Sequence, residues 1–136
     1  MSILLDGAHE LLEHLIYNAD RDYHWVLLVN GERAGGAVLT TDAKEPENSW
    51  IKLLYARDGS RDVLQLLIRK GREAAEFQGY EWLRVRVYES DVMTKEVLSH
   101  LGFHPQATEK LMLPDGIKMR ITYGVSLLPP LPSLHE

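Results

Sequence analysis

The chain reads as an α+β domain: a mixed, mostly antiparallel sheet with one central parallel strand pair, flanked by helices. Three observations predict it. Asn30-Gly31 lies between two apolar runs, the strongest short-range hairpin signal. A second hairpin pattern crosses Pro114-Asp115-Gly116. Between the hairpins come a strand, a long amphipathic helix and another strand, and a helical crossover joins parallel neighbours.

The first segment, residues 3–18, has helical spacing. Leu11, Leu12, Leu15 and Ile16 recur on one stripe, with Glu10, Glu13 and His14 off it. Asp6 is placed to cap that helix, and Ile3-Leu4-Leu5 reads either as a short edge strand or as its first turn. His24 to Val29 and Glu32 to Thr41 form the first hairpin. Gly35 and Gly36 within its second arm point to a bulge or to close approach by another backbone. After a polar loop, Trp50 to Ala56 is an apolar central strand with Lys52 as its one exception.

The helix from about Asp62 to Gln78 has the clearest pattern. Val63, Leu64, Leu67, Ile68, Ala74 and Ala75 share one face, and Gly79 is placed to end it. Glu81 to Tyr88 alternates, with Leu83, Val85 and Val87 on one side and Trp82, Arg84, Arg86 and Tyr88 on the other. Those arginines read as solvated. A short helix follows and ends at Leu101-Gly102. The last hairpin pairs Lys110–Leu113 with Ile117–Tyr123.

At 136 residues the chain is long enough for one domain with a real core. The expected division is a single domain over 1–125 and a tail over 126–136 that carries three of the six prolines. A net charge of −5 argues against binding nucleic acid or an anionic membrane. With no cysteine there is no thiolate nucleophile or sulfur-based zinc site. His100 and His104 have ligand spacing, but Gly102 and Pro105 interrupt the helix that would align them. No secretory leader or membrane span is recognisable, so a cytoplasmic protein is expected.

The stretch that organises the rest is Trp50 to Ala56, the turn Arg57-Asp58-Gly59-Ser60-Arg61, and the helix after it. The first amides of a helix lack internal partners, and the helix dipole favours an anion beside them. A strand, a Gly-bearing turn with two arginines and a helix N-terminus therefore suit a phosphate. An ordinary connection with Gly59 serving the turn fits the local sequence as well.

From Trp25 to Tyr123 the chain resembles the GNAT family of N-acyltransferases. The features are the hairpin ending in Ala34-Gly35-Gly36-Ala37-Val38, the strand Ile51 to Ala56, the Arg-and-Gly turn into a long helix, the strand Leu83 to Tyr88, and Leu101-Gly102-Phe103 closing the next helix. The resemblance implies that the central parallel strands splay apart and that acetyl-CoA lies in the gap as co-substrate. It places cofactor contacts at Leu54, Tyr55, Ala56, Arg57, Gly59, Ser60, Arg61 and Asp91.

Several features depart from that pattern. The turn is shortened and lacks a second glycine. Asp91 stands where the family often has Asn, and Leu98 stands where a Tyr often protonates the leaving thiolate. No carboxylate lies on Ile51 to Ala56, where the usual base sits. The N-terminal region, which often builds the acceptor pocket, is short. Tyr88, Glu89 and Ser90 are the nearest candidates for catalysis, with Glu89 acting as base through water and Tyr88 replacing the missing acid.

The expected activity is acetyl-CoA-dependent transfer of an acyl group to an amine, on a small molecule or a protein. The acidic chain favours a basic acceptor such as a polyamine or a lysine. The alternative is a catalytically degenerate protein of this fold that binds and regulates or inhibits another protein. Pairing of the last strands into a homodimer is a third expectation.

Overall fold

The computed structural model describes residues 10–16 and 23–128. Seven strands form one sheet in the order β1-β2-β3-β4-β5-β7-β6. They are β1 Glu10–Ile16, β2 Tyr23–Val29, β3 Glu32–Thr41, β4 Asn48–Ala56, β5 Trp82–Tyr88, β6 His104–Leu113 and β7 Gly116–Ser126. Helix α1 spans Arg61–Phe77 and helix α2 spans Val92–His100. Every pairing is antiparallel except β4 with β5, which α1 joins as a crossover.

The first segment corrects the sequence reading. Glu10–Ile16 is not helical but pairs along its whole length with β2, from Glu10↔Val29 to Ile16↔Tyr23. The helical spacing of its leucines is a local preference. The β2 edge offers a full ladder of backbone hydrogen bonds, and that tertiary partner overrides the local pattern. The proposed cap at Asp6, the segment Ile3-Leu4-Leu5 and the proline-bearing residues 129–136 lie outside the described residues.

The first hairpin turns at Asn30 and Gly31 with φ of 53° and 80°. Both central residues of the tightest hairpin turn need positive φ, and Asn-Gly supplies it at low cost. Gly35 has a different reason. A Cβ there would lie 2.6 Å from the Tyr55 carbonyl oxygen and 2.9 Å from side chains of Val63 and Leu67. The missing side chain lets α1 settle onto β3 and β4.

Ser60 caps α1, its Oγ accepting from the Val63 amide at 3.3 Å. The buried face of α1 is Val63, Leu64, Leu67, Ile68 and Ala75, matching the apolar stripe. These pack with Leu27, Leu39, Ile51, Leu83, Val85 and Val87 into one core, which α2 joins through Val97 and Leu98. Phe103 is 1% exposed and fills that core just past α2. The Leu-Gly-Phe closure is therefore a packing device: Gly102 turns the chain at φ 91°, and Phe103 drops inward.

The last hairpin is longer than the apolar pattern implies. β6 begins at His104 and is exposed over most of its length. Its polar first half becomes a strand because β7 provides a partner as far as Gly124, and a register shift between Pro105 and Ala107 absorbs the proline. Among the described residues, no helix is long and apolar enough to cross a membrane.

Candidate active site

The two parallel strands part company midway. β4 pairs with β5 only from Asn48↔Trp82 to Ile51↔Val85, although β4 runs on to Ala56 and β5 to Tyr88. On its other edge β4 stays paired with β3 to Ala56, but the register shifts: Leu39 faces Ile51 and Val38 faces Leu53, so Lys52 is the extra residue of a bulge. Bulges bend a strand and increase its twist. This one sits at the point where β4 leaves β5.

The gap is a cleft of about 530 Å³. Trp50, Lys52 and Leu54 line it from β4, Arg86 and Tyr88 from β5, Asp91 and Thr94 from the start of α2, and Arg120 from β7. Along the gap, the β4 backbone after Ile51 has no β5 partner, so an extended ligand can add to that edge as a strand would.

At the far end of β4 the chain makes a 3-10 turn, Arg57–Gly59, and enters α1. Gly59 has φ 61°, a conformation glycine adopts without strain. Arg57 lies 3.6 Å from Glu32, and Arg61 lies 3.2 Å from Glu96. All four side chains are at least half exposed. Such surface pairs are worth about 1 kcal/mol or less. A doubly charged pyrophosphate at the helix N-terminus can exchange with them.

Asp91 caps α2. One carboxylate oxygen accepts from the Thr94 amide at 3.2 Å and the other from the Thr94 hydroxyl at 2.8 Å. Tyr88 ends β5 at 40% exposure, with the Lys118 ammonium 5.4 Å from its ring centre. Glu89 and Ser90 follow on an exposed turn and do not line the cleft; the Glu89 amide donates to the Met119 carbonyl and the Ser90 carbonyl accepts from Val92. Leu98 is fully buried in the core.

The structure thus brings Leu54, Tyr88 and Asp91 together around the cleft. Ala56 pairs with Gly35 at the end of β4, and Tyr55 beside it is 46% exposed. Gly59, Ser60 and Arg61 sit at the head of α1.

Sequence reasoning passed over Trp50, Arg86 and Arg120. Arg86 stacks over the Trp50 ring at 4.0 Å, and Trp50 donates its indole N–H to Asp42 at 3.0 Å. That hydrogen bond, then those from the Lys44 and Glu45 amides, lower the Asp42 pKa. A depressed carboxylate pKa stabilises the fold above the unfolded value, about 3.9 for Asp, and this stability is lost as pH falls through the folded value. Acid unfolding of Asp42→Asn is therefore expected to lose part of the wild-type pH slope below that value. An unchanged slope in chemical-denaturation curves would count against this role.

No protein-family profile and no curated protein sequence matches the chain. Solved structures do match in shape. The ribosomal-protein-S18-alanine N-acetyltransferase of Escherichia coli aligns at a TM-score of 0.72 and 16% identity, over 85% of this chain and 76% of that one. A Bacillus subtilis acetyltransferase in complex with CoA aligns at 0.73 and 14%, over 88% and 100%. A GNAT-family acetyltransferase of Streptococcus pneumoniae aligns at 0.69 and 16%, over 80% and 69%.

The chain has the GNAT fold. Within it, β4 and β5 are the splayed pair, and Arg57–Gly59 leads from the first of them into α1. In this chain the closing Leu101-Gly102-Phe103 anchors α2 on the core, through buried Phe103.

Proposed function

We propose that this GNAT-fold protein is an acetyl-CoA-dependent N-acetyltransferase acting on an amine, with acetyl-CoA in the cleft between β4 and β5. The observation that carries the reading is the parting of these strands after Ile51 and Val85, which leaves strand edge and cleft in line with the turn into α1.

The residues present fit the cofactor. In this reading the backbone of Leu54, Tyr55 and Ala56, which has no β5 partner, pairs with an extended pantetheine arm, and Asp91 contributes from the start of α2. Gly59 and Ser60 shape the turn, while Arg57 and Arg61 bring positive charge to the amides of α1. When bound, acetyl-CoA supplies an activated thioester. The amine nitrogen forms the new C–N bond, the C–S bond breaks, and the amine proton leaves to water.

The protein's part is chiefly orientation and removal of water from the cleft. In this reading Tyr88, which lines the cleft, donates a proton toward the leaving thiolate. Glu89, next in the chain with Ser90 after it, accepts the amine proton through water. With Leu98 in the core, the usual acid position contributes packing instead of a proton.

The test is a calorimetric titration with acetyl-CoA. Micromolar binding is expected, on the order of 8 kcal/mol. The double variant Arg57→Ala/Arg61→Ala should weaken it by roughly tenfold or more, since charge-assisted contacts to phosphate are lost. No binding at millimolar acetyl-CoA would reject the enzyme reading and favour a fold that has given up its cofactor and acts by binding another protein.

A further inference from the structure

The cleft carries a charge that the chain as a whole does not. The protein has a net charge of −5, yet Lys52, Arg86 and Arg120 all line the gap. Among the described residues that line it the only carboxylate is Asp91, and both of its oxygens already accept from Thr94; Glu109, outside the lining, pairs with Arg120.

Lys52, the bulge residue next to buried Ile51, is exposed at the gap. Arg86 lies on the sheet face away from the helices, since it alternates with Val85 and Val87, which are buried in the core beneath α1. Arg120 pairs directly across from Tyr88 on that same face.

Two of the cations are also held in place. Arg86 rests on Trp50 at 4.0 Å, and Asp42 fixes Trp50 through the indole N–H. Glu109 holds Arg120 at 2.6 Å. Among the described residues no carboxylate is within ion-pair distance of Lys52 or Arg86. Their charge is available to a ligand.

The pyrophosphate end of the cofactor does not require them. That end falls to Arg57 and Arg61, at the head of a helix packed on the other face. We propose that the acceptor is an amine bearing an anionic group, a carboxylate or a phosphate monoester, which Lys52, Arg86 and Arg120 hold along the cleft. This deepens the acetyltransferase reading and rests on it.

The arrangement has a chemical consequence. β4 lacks the acidic base usual on that strand, and Lys52 is its charged residue in the cleft. Nearby cations favour the neutral form of a bound amine and lower its pKa. The acceptor's ammonium therefore loses its proton to water more readily, and the nucleophile forms without a strong base. The same field repels a polyamine, contrary to the acceptor that the acidic composition favours.

The experiment uses matched amines: L-phenylalanine against its amide, glucosamine 6-phosphate against glucosamine, and spermidine as a cationic comparator. Binding is read by calorimetry without cofactor, and turnover by thiol release from acetyl-CoA. An anionic member of a pair should bind and turn over at least about tenfold better than its neutral partner and spermidine. The phenylalanine and glucosamine arms separate carboxylate from phosphate.

Lys52→Met and Arg86→Met should each raise the acceptor KM about tenfold while leaving acetyl-CoA affinity unchanged. Arg86→Lys should recover part of the loss. Lys70→Met, on the far side of α1 and paired with Glu73, should change nothing. Three results would overturn the proposal: preference for neutral amines or spermidine, no anionic probe bound at about 10 mM, or variants that weaken acetyl-CoA instead of the acceptor. Failure of acetyl-CoA to bind the wild type rejects the enzyme reading separately, because the amine titrations are made without it.

Discussion

Gly35→Ala is expected to lower stability by about 3 kcal/mol, the upper range for overpacking a core. The added Cβ would lie 2.6 Å from the backbone oxygen of Tyr55, which cannot rotate away as a side-chain tip can. Val63 and Leu67, at 2.9 Å, block the remaining direction. Relief requires moving β3 from β4 or lifting α1 from the sheet. Gly35 also pairs with Ala56, the last residue before the Arg57–Gly59 turn. The same substitution is therefore expected to weaken acetyl-CoA binding in whatever fraction remains folded. Denaturant unfolding with an unchanged midpoint would show that the sheet and helix have slack at this point.

Phe103→Ala is expected to cost about 4 kcal/mol, within the range for truncating a buried aromatic. Phe103 is among the largest fully buried side chains, and its amide also donates to the Leu98 carbonyl at 2.9 Å, closing α2. Truncation leaves a cavity beneath α2 and loosens the helix whose first residues line the cleft. Gly102→Ala should cost less, because only the positive φ is opposed and open space surrounds the added methyl. Equal losses for the two substitutions would place the importance of Leu-Gly-Phe in its turn and not in its packing.

Much of this fold was legible because its signals are local. Asn30-Gly31 needs only its own backbone to specify a hairpin, and the alternation of Leu83, Val85 and Val87 needs only one covered face. The stripe on α1 was readable for the same reason. β1 was not, because its partner lies on another strand and its leucines suit a helix equally well. The first half of β6 carries little apolar pattern and becomes a strand through pairing with β7.

The candidate site divides along the same line. The turn from Arg57 to Arg61 could be found from strand, glycine and helix in sequence. The cationic face could not. Lys52 stood out only as a charge in an apolar strand, and its place depends on a register shift against β3. Arg86 looked like a solvated strand residue until the fold placed it over Trp50.

Whether the gap between β4 and β5 holds acetyl-CoA can be read from a chemical-shift map of the labelled protein titrated with it. Amides over 52–63 and 88–94 should shift, while β1 and the outer half of β6 stay unmoved. Shifts confined elsewhere, or none at millimolar ligand, would rule out an acetyl-CoA site in the gap.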